Sequence, residues 1–463
     1  MRGWVLASTM AAVALGGGSA LAQAPVAADQ PLLRAVTAEV EAARLRTGIE
    51  RMVAFGTRHT ASETRSNTRG IGAARRWVER EFREIGRGCG GCLEVATPSQ
   101  TFTGARLPRP TEVMDVLAIQ RGTTDPERVI IISAHLDSRV SDVMDFTSDA
   151  PGANDDASGV AAVMEAARVL SKRRFPATLV YAALSGEEQG LYGGTVLANY
   201  AASRNWRVEA VLNNDIVGNS RGQSGVVGNT HVRVFSEGTR ATETAEQANR
   251  RRYNGGEVDS PSRNLARFLD DLADRYLSNL DVLMVYRTDR YGRGGDQVRM
   301  LEAGYPAVRV TEAAENYDRQ HQDLRTENGV RYGDTVAGVD FAYLAQVTRL
   351  NIAAMAALAS APPPPPGVTI AGAVKPDTTV SWTAVPGVAG YRVWWRSTTD
   401  PQWRFSRWAG PATSLVLPGV VIDDWFFGVS AVSAEGWASP VVFPGVAGSF
   451  ERPPPAPPVA PAG

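Results

Sequence analysis

Five side chains able to bind metal ions lie in the middle of the sequence, close to apolar runs or to the start of a helical pattern. They are His135, Asp155, Glu188, Asp215 and His321. Two imidazoles and three carboxylates are borderline-to-hard ligands, a set that suits zinc, with manganese or cobalt as substitutes. Five ligands shared by two ions leave coordination positions for water and substrate, which a catalytic centre requires. The pattern therefore predicts a centre for two Zn²⁺ ions.

Two further carboxylates accompany these ligands. Asp137 lies two residues beyond His135, where it can hydrogen-bond the ring nitrogen that is not on the metal and so fix the tautomer. Glu187 is adjacent to Glu188 and cannot easily bind the same ion in the same way, which makes it the candidate general base for a water activated by the metals. Taken singly, an acidic residue after a strand is usually a solvated loop residue or a helix cap. The joint occurrence of five positions in order favours a site.

The elements that must position these residues follow from the apolar pattern. Continuous apolar runs at 128–133, 177–184, 209–212 and 306–310 predict strands that are covered on both faces. Apolar residues at helical spacing predict a helix over 158–172, with Ser158 as a plausible N-cap and Asp155 or Asp156 as alternative caps. We therefore expect an α/β domain with a mostly parallel central sheet flanked by helices. The carboxyl ends of parallel strands meet at one edge, so loops that follow them converge.

Four motifs make the likeness to a known family specific. In them the ligands and their neighbours occur together: Ala134-His-Leu-Asp-Ser138, Gly152-Ala-Asn-Asp-Asp-Ala-Ser-Gly159, Ser185-Gly-Glu-Glu-Gln-Gly-Leu191 and Asn213-Asn-Asp215. Over roughly 45–358 the chain resembles the M28 family of zinc peptidases, which includes bacterial secreted aminopeptidases and glutamate carboxypeptidases. The resemblance implies a peptidase domain at 30–358. It also implies that Asp155 bridges two zinc ions, one held by His135 and Asp215 and the other by Glu188 and His321.

The chain departs from the family pattern in two places. Many relatives have Ser-Asp-His before the last ligand, whereas here Gly294-Gly-Asp-Gln297 carries glutamine in place of the histidine. In several relatives a tyrosine directly precedes the final histidine, whereas Tyr317 lies four residues upstream, so no oxyanion role is assigned to it. The stretch 287–293 is basic and aromatic, so it either contacts an acidic end of a peptide or is a solvated loop. His59 and His231 lack a ligand-type context.

Composition excludes some classes of partner. The chain has 463 residues, and 48 basic side chains against 49 acidic ones give a formal net charge of −1. This balance provides no electrostatic basis for binding nucleic acid or an anionic membrane surface. Cys89 and Cys92, in Cys-Gly-Gly-Cys, are expected to form a local disulfide in an oxidising compartment, and a redox-active pair is the alternative.

The first residues predict export. Arg2 provides a positive start, Trp4 to Leu15 is an apolar run, and Ala20-Leu-Ala22 has small residues where a signal peptidase cleaves. Residues 1–22 are therefore predicted to be a signal peptide, and the protein to be periplasmic or extracellular. The alternative is a membrane anchor, but the run falls short of the roughly 20 residues that a spanning helix needs. Because no other stretch is long and apolar enough to span, we expect no stable membrane insertion.

The C-terminal part has a different character. A proline-rich linker at 359–366 contains the run Pro362–Pro366, which is typical of a stiff spacer. Short β-type segments punctuated by proline and glycine over 367–447 resemble a fibronectin type III domain, with Trp382 and Tyr391 as core aromatics. Residues 448–463 are expected to be a disordered proline-rich tail. Four tryptophans of this domain form either an exposed binding strip or part of its core: Trp394, Trp395, Trp403 and Trp408.

These features together predict a zinc-dependent exopeptidase. The leading hypothesis is an aminopeptidase acting on peptide or protein substrates, with Glu187 as general base. A carboxypeptidase of the same fold is one alternative, and the charge at the end of the pocket separates the two, since a free amine requires a carboxylate and a free carboxylate requires Arg or Lys. A binding protein with an inactive peptidase domain is an alternative from another class. The C-terminal domain is expected to dock on a cell surface or polymer.

Overall fold

The computed structural model describes residues 29–453. The predicted signal peptide, 1–22, therefore lies outside the described residues, as does the end of the predicted tail. The helices of the described part are α1 (Pro31–Ala38), α2 (Ala42–Val53), α3 (Gly70–Gly88), α4 (Ala157–Leu170), α5 (Glu187–Gly190), α6 (Tyr192–Ser203), α7 (Ala245–Asn254), α8 (Pro261–Tyr276), α9 (Gln297–Glu302) and α10 (Phe341–Ser360). The first twelve strands are β1 (Glu94–Ala96), β2 (Ser99–Gly104), β3 (Leu107–Met114), β4 (Val116–Gln120), β5 (Asp125–His135), β6 (Ala177–Leu184), β7 (Arg207–Asn214), β8 (His231–Phe235), β9 (Asp281–Val285), β10 (Ala307–Glu312), β11 (Arg325–Glu327) and β12 (Val330–Tyr332).

Eight of these strands form one mixed sheet in the order β1-β4-β6-β5-β7-β10-β8-β9. The central strands β6, β5, β7 and β10 are parallel to one another, as are β8 and β9. The remaining neighbours are antiparallel. The predicted fold class is confirmed, and the four predicted strand runs coincide with β5, β6, β7 and β10.

The apolar runs are continuous because both faces of the sheet are covered. Ile130 and Ile132 of β5 face the core built with α2, α4 and α10. Val129 and Ile131, on the opposite face of the same strand, pack with side chains of α6 and α9. Alternate residues of a strand point to opposite faces, so a strand buried on both sides has no polar alternation.

Helix α4 begins slightly earlier than predicted. Its N-cap is Asp156 rather than Ser158, since the Asp156 carboxylate accepts a hydrogen bond from the Gly159 backbone N–H. The Ser158 hydroxyl instead donates to the Asn154 carbonyl. Serine and aspartate are both chemically suitable caps, and tertiary contacts of Asp156, described below, select it among the candidates.

Helix α10 is long and apolar enough to cross a membrane by length and composition, contrary to the expectation that no second stretch would be. Most of its residues are buried inside the molecule, where they pack with α1, α4 and β5. Its composition is thus that of a core helix. The predicted disulfide between Cys89 and Cys92 is present, at the end of α3.

The C-terminal domain has two three-stranded antiparallel sheets, with strand orders β13-β14-β17 and β16-β15-β18. Its strands are β13 (Thr369–Ala371), β14 (Thr378–Ser381), β15 (Gly390–Ser397), β16 (Phe405–Gly410), β17 (Ser414–Leu417) and β18 (Trp425–Val432). Trp382 and Tyr391 are buried in its core with ring centroids 5.2 Å apart. The domain is a small β-sandwich, and its likeness to fibronectin type III stays a prediction.

The β-sandwich is docked against α8 of the peptidase domain. In β15, Tyr391 and Val393 face the sandwich core, whereas Arg396 faces outward and donates to Asp259, just before α8. Trp403 Nε1 donates to Asn264 of α8 over 3.2 Å. Proline-rich linkers often separate domains, but buried polar contacts here join the two.

Two C-terminal predictions change as a consequence. Trp394 and Trp403 line a cavity of about 420 Å³ between the two domains and so do not form an exposed strip. Residues 449 and 452 contact the peptidase domain, with the Ser449 carbonyl accepting from Arg240 and Arg452 donating to the Ala303 carbonyl. Residues 448–453 are therefore ordered, which differs from the disordered tail predicted from residue 448.

Candidate metal centre

The five predicted ligands meet at one edge of the large sheet. His135 ends β5, Asp215 directly follows β7, and Glu188 lies in α5, which follows β6 after a tight turn. Asp155 precedes α4, and His321 lies in the loop after β10. All five line one cavity of about 590 Å³, together with Glu187. Parallel strands whose loops point the same way thus bring distant parts of the chain to one site.

The ligands form two groups joined by Asp155. Asp155 Oδ1 lies 3.1 Å from His135 Nε2, and Asp155 Oδ2 lies 2.9 Å from His321 Nε2. On the first side, His135 Nε2 is 3.8 Å from Asp215 Oδ1; on the second, His321 Nε2 is 3.0 Å from Glu188 Oε1. The two oxygens of one carboxylate therefore face two different imidazoles.

The chemistry of this donor set fits two zinc ions. Nitrogen and oxygen ligand atoms of three residues converge within 4.8 Å in each of two groups, one with His135, Glu187 and Asp215 and the other with Asp155, Glu188 and His321. Glu188 Oε1 is buried, and no described atom forms a hydrogen bond with it although His321 Nε2 is close. Three buried carboxylates and the partly buried Glu187 surround two imidazoles, and arginines pair with only two of the four, Asp215 and Glu188. The remaining negative charge favours bound cations. Imidazole and carboxylate at these positions are ligands that zinc prefers.

Asp137 supports the site through more contacts than predicted. His135 Nδ1 lies 3.1 Å from the Asp137 backbone carbonyl, while the nearest Asp137 carboxylate oxygen is 3.7 Å away. The ring nitrogen is therefore oriented mainly by the main chain. The carboxylate accepts hydrogen bonds from the backbone N–H groups of Glu187 and Glu188, at 3.3 and 3.1 Å. Asp137 thus couples the end of β5 to the start of α5, and so positions both glutamates.

Glu187 has the environment of a proton acceptor. Burial raises the pKa of its carboxyl well above the usual range; His135 opposes this shift, while Asp215 and Glu188 add to it. In the first ligand group its carboxylate lies within 4.8 Å of His135 and Asp215. A carboxylate with a raised pKa is a stronger base than a solvated one, which suits proton transfer near neutral pH.

Three buried residues hold the candidate ligands in place. Asp156 was one of the candidate caps of α4, whereas Asp334 and Arg309 were not predicted. Asp156, in addition to capping α4, accepts from the His135 and Ile216 backbone N–H groups. Asp334 accepts from the Asp155 backbone N–H over 2.7 Å, and burial raises the pKa of Asp334 to about 7. Arg309 of β10 donates to Asp215 Oδ2 over 2.5 Å. A single arginine inside the apolar run 306–310 was the one available signal, since a buried charge requires a partner.

The remaining predicted positions have separate roles. Gln297, the departure from the family pattern, is buried, donates to Asp289 and accepts from Asn213, and it does not line the cavity. Tyr317 lines the cavity but is 54% exposed. His59 is buried and does not line the cavity; its Nε2 lies 2.9 Å from the Val143 carbonyl, and His231 is exposed.

Within the predicted basic stretch, Arg290 and Arg293 line the catalytic cavity. Arg290 is paired with Asp289 over 3.1 Å, and Arg293 is exposed. Part of this stretch thus reaches the cavity and part of it is solvated, and contact with an acidic end of a peptide stays a prediction.

Comparison with known proteins agrees with this geometry. Residues 115–335 match peptidase family M28. A probable zinc metalloprotease of Leptosphaeria maculans is 45% identical over 421 residues, which covers 90% of this chain and 97% of the relative. A probable zinc metalloprotease of Pyricularia oryzae is 43% identical, covering 89% of this chain and 84% of the relative.

Solved structures share the fold at low sequence identity. The LapA aminopeptidase of Legionella pneumophila is 18% identical with a TM-score of 0.50, covering 73% of this chain and 78% of its own. LapB of the same organism is 16% identical with a TM-score of 0.50, and the match covers 70% of this chain and 74% of LapB. These two structures support the architecture, and the closer sequence relatives support the family. The chain belongs to peptidase family M28 of zinc metallopeptidases.

Proposed function

We propose that this protein is a two-zinc aminopeptidase that releases N-terminal residues from peptides and proteins. The observation that carries the proposal is the Asp155 carboxylate, whose two oxygens face His135 and His321 at 3.1 and 2.9 Å. A carboxylate placed between two imidazole-containing groups is suited to bridge two ions. His135 and Asp215 would hold one ion, and Glu188 and His321 would hold the other.

Zinc, when bound, lowers the pKa of water and polarises the carbonyl of the scissile peptide bond. Glu187 accepts the proton of the attacking water and later donates it to the leaving amine, so that hydrolysis is balanced. The Glu187 backbone N–H donates to the Asp137 carboxylate, and this hydrogen bond keeps the Glu187 side chain close to the candidate ligands. Burial, which raises the pKa of Glu187, lets one carboxyl perform both proton transfers.

A direct assay tests the proposal. The purified chain is loaded with zinc and offered peptides with a free or an acetylated N-terminus, before and after chelation. We expect cleavage only of peptides with a free N-terminus, loss of activity with chelator, and recovery with added zinc. Activity that survives complete metal removal would refute the metal mechanism. Release of C-terminal residues from acetylated peptides would instead identify the second candidate, a carboxypeptidase, which the arginines of the cavity favour.

We also propose that the protein is exported, since residues 1–22 have the charge and apolar pattern of a signal peptide. Determining the N-terminal residue of the mature protein tests this, with a start at Gln23 expected. Docking of a surface or polymer through a fibronectin type III-like sandwich is a further prediction. Trp395, which stacks on Phe405 at 5.7 Å, is the one of the four tryptophans that belongs to a partly exposed aromatic cluster.

A further inference from the structure

The walls of the catalytic cavity are cationic. Apart from the ligands and Glu187, its lining contains five arginines, which are Arg106, Arg139, Arg290, Arg293 and Arg299. Leu191 is its one aliphatic side chain and Tyr317 its one aromatic side chain. A pocket that selects leucine-like side chains needs apolar walls, because discrimination there comes from burying methylene groups. This cavity offers guanidinium groups instead.

The carboxylates that line the cavity are all committed to the metal centre. They are Asp155, Glu187, Glu188 and Asp215. Once zinc compensates these four, the arginines are left in excess. The walls then attract an anionic group of the substrate more strongly than a neutral one.

The five arginines differ in how far their charge is neutralised. Arg290 is paired with Asp289 at 3.1 Å, Arg299 with Glu302 at 2.8 Å, and Arg139 with the ligand Glu188 at 3.2 Å. Three of the five therefore already have a close carboxylate partner.

Arg106 and Arg293 are the least compensated. Arg106, at the tip of the β2–β3 hairpin, donates to the Glu188 backbone carbonyl over 3.1 Å and has no carboxylate within 4.0 Å among the described residues. Arg293 has Glu315 at 3.5 Å, but Glu315 is closer to Arg233, at 2.6 Å. Both arginines are exposed and line the cavity, so their N–H groups can donate to a carboxylate in bidentate fashion.

We propose that Arg106 and Arg293 bind a carboxylate of the substrate, so that the enzyme prefers peptides with an anionic group beside the scissile bond. This inference rests on the proposed peptidase function and names its substrate class. The carboxylate belongs either to an acidic side chain or to the C-terminus of a short peptide. Guanidinium recognition is the same for both sources.

Two pairs of isosteric substrates distinguish these sources with the zinc-loaded full chain. The first pair is the p-nitroanilides of glutamate and glutamine, which differ at one end of the side chain. The second is the dipeptide Leu-Ala with a free or an amidated C-terminus. We expect the charged member of at least one pair to have about tenfold higher kcat/KM, as one charge-assisted bidentate contact provides. The pair that shows the difference identifies the source.

Matched variants test the residues. Arg106→Gln and Arg293→Gln are expected to remove most of the preference, because they lower kcat/KM for the charged member of a pair more than for the neutral member. Arg109→Gln, on the same hairpin, and Arg287→Gln, on the same loop, are controls because neither residue lines the cavity. Calorimetric titration with glutarate and with neutral glutaramide provides a readout that does not need turnover. Weaker glutarate binding is expected for Arg106→Gln and Arg293→Gln, but not for the two control variants.

Several results would overturn the inference. Neutral members cleaved as well as charged ones in both pairs, or cavity variants that slow both members equally, would show that the arginines do not recognise a carboxylate. Equal binding of glutarate by cavity and control variants would show the same. A zinc-loaded protein that cleaves none of the four substrates but binds glutarate through Arg106 and Arg293 would refute the peptidase proposal and leave the carboxylate site standing.

Discussion

Removing the buried charge of Asp259 should destabilise the whole chain, because two buried arginines then lose their carboxylate partner. Asp259 is fully buried and accepts from Arg267 at 2.9 Å and from Arg396 of the β-sandwich at 2.7 and 2.9 Å. The two arginines are 2% and 1% exposed, so water cannot replace the carboxylate. Removing one partner of a buried ion pair costs about 3–5 kcal/mol. Asp259→Asn keeps one acceptor oxygen, so we expect the lower end of this range, about 3 kcal/mol.

Urea unfolding followed by tryptophan fluorescence measures this cost. Because Arg396 belongs to the sandwich and Arg267 to α8, we expect wild type and variant to unfold in one transition that reports both domains. Asp423→Asn, at an exposed position of the sandwich, is the control and should change stability by less than about 0.5 kcal/mol. In the double variant Asp259→Asn/Arg396→Met the loss should be smaller than the sum of the single losses. A loss below about 1 kcal/mol for Asp259→Asn, or additive losses, would refute the reasoning.

Three further predictions concern the metal centre and pH. Glu187→Gln should lower kcat about a thousandfold, with zinc content by mass spectrometry unchanged; normal turnover would exclude Glu187 as the base. Asp155→Asn should reduce the content of both zinc ions, because its oxygens face both histidines; retention of both ions would contradict the bridge. Burial raises the pKa of Glu237 from 4.5 to about 7. Its ionised form is therefore disfavoured in the folded chain, and stability falls as pH rises from about 4.5 through 7, by up to roughly 3 kcal/mol. Glu237→Gln should be more stable than wild type at pH 8 and equal to it at pH 4 in urea unfolding, whereas the exposed control Glu246→Gln should match wild type at both; an equal effect of Glu237→Gln at both pH values would contradict this.

The parts of the site that the sequence predicts are those with a local signal. Each of the ligands His135, Asp215 and Glu188 follows an apolar run, and such runs predict buried strands whose ends lie at one edge. The predicted runs coincide with β5, β6, β7 and β10. Because the carboxyl ends of parallel strands lie at one edge of the sheet, residues that follow different strands are predicted to come together even when the strand order is unknown. The metal centre is therefore accessible to reasoning from one sequence.

The supporting contacts lack such a signal. Asp334 and Asp155 are 179 positions apart in the chain, and Arg309 and Asp215 are 94 apart. No sequence motif indicates that the residues of either pair come into contact. The sequence indicates only that Arg309, which lies in an apolar strand, needs a partner of opposite charge. The choice of Asp156 over Ser158 as the cap of α4 also lacks a local signal, because it depends on hydrogen bonds from the backbone N–H groups of His135 and Ile216 to the aspartate. The docking of the sandwich also depends on pairs such as Asp259 and Arg396, which are 137 positions apart.

Chemistry and specificity rest on parts of the molecule with different rigidity. The candidate metal ligands His135 and Asp215 stand at the ends of central strands, where both faces are packed and movement would disturb the core. Arg106 and Arg293 stand on a hairpin tip and on a loop that begins after β9, near Tyr286. Tyr286 packs under the Arg263 guanidinium at 3.5 Å, and Arg263 belongs to the same helix, α8, that binds the sandwich. Loosening the sandwich by Asp259→Asn should therefore disturb the arginine wall before it disturbs the metal centre, so that the folded variant loses substrate preference in the absence of urea while it retains bound zinc.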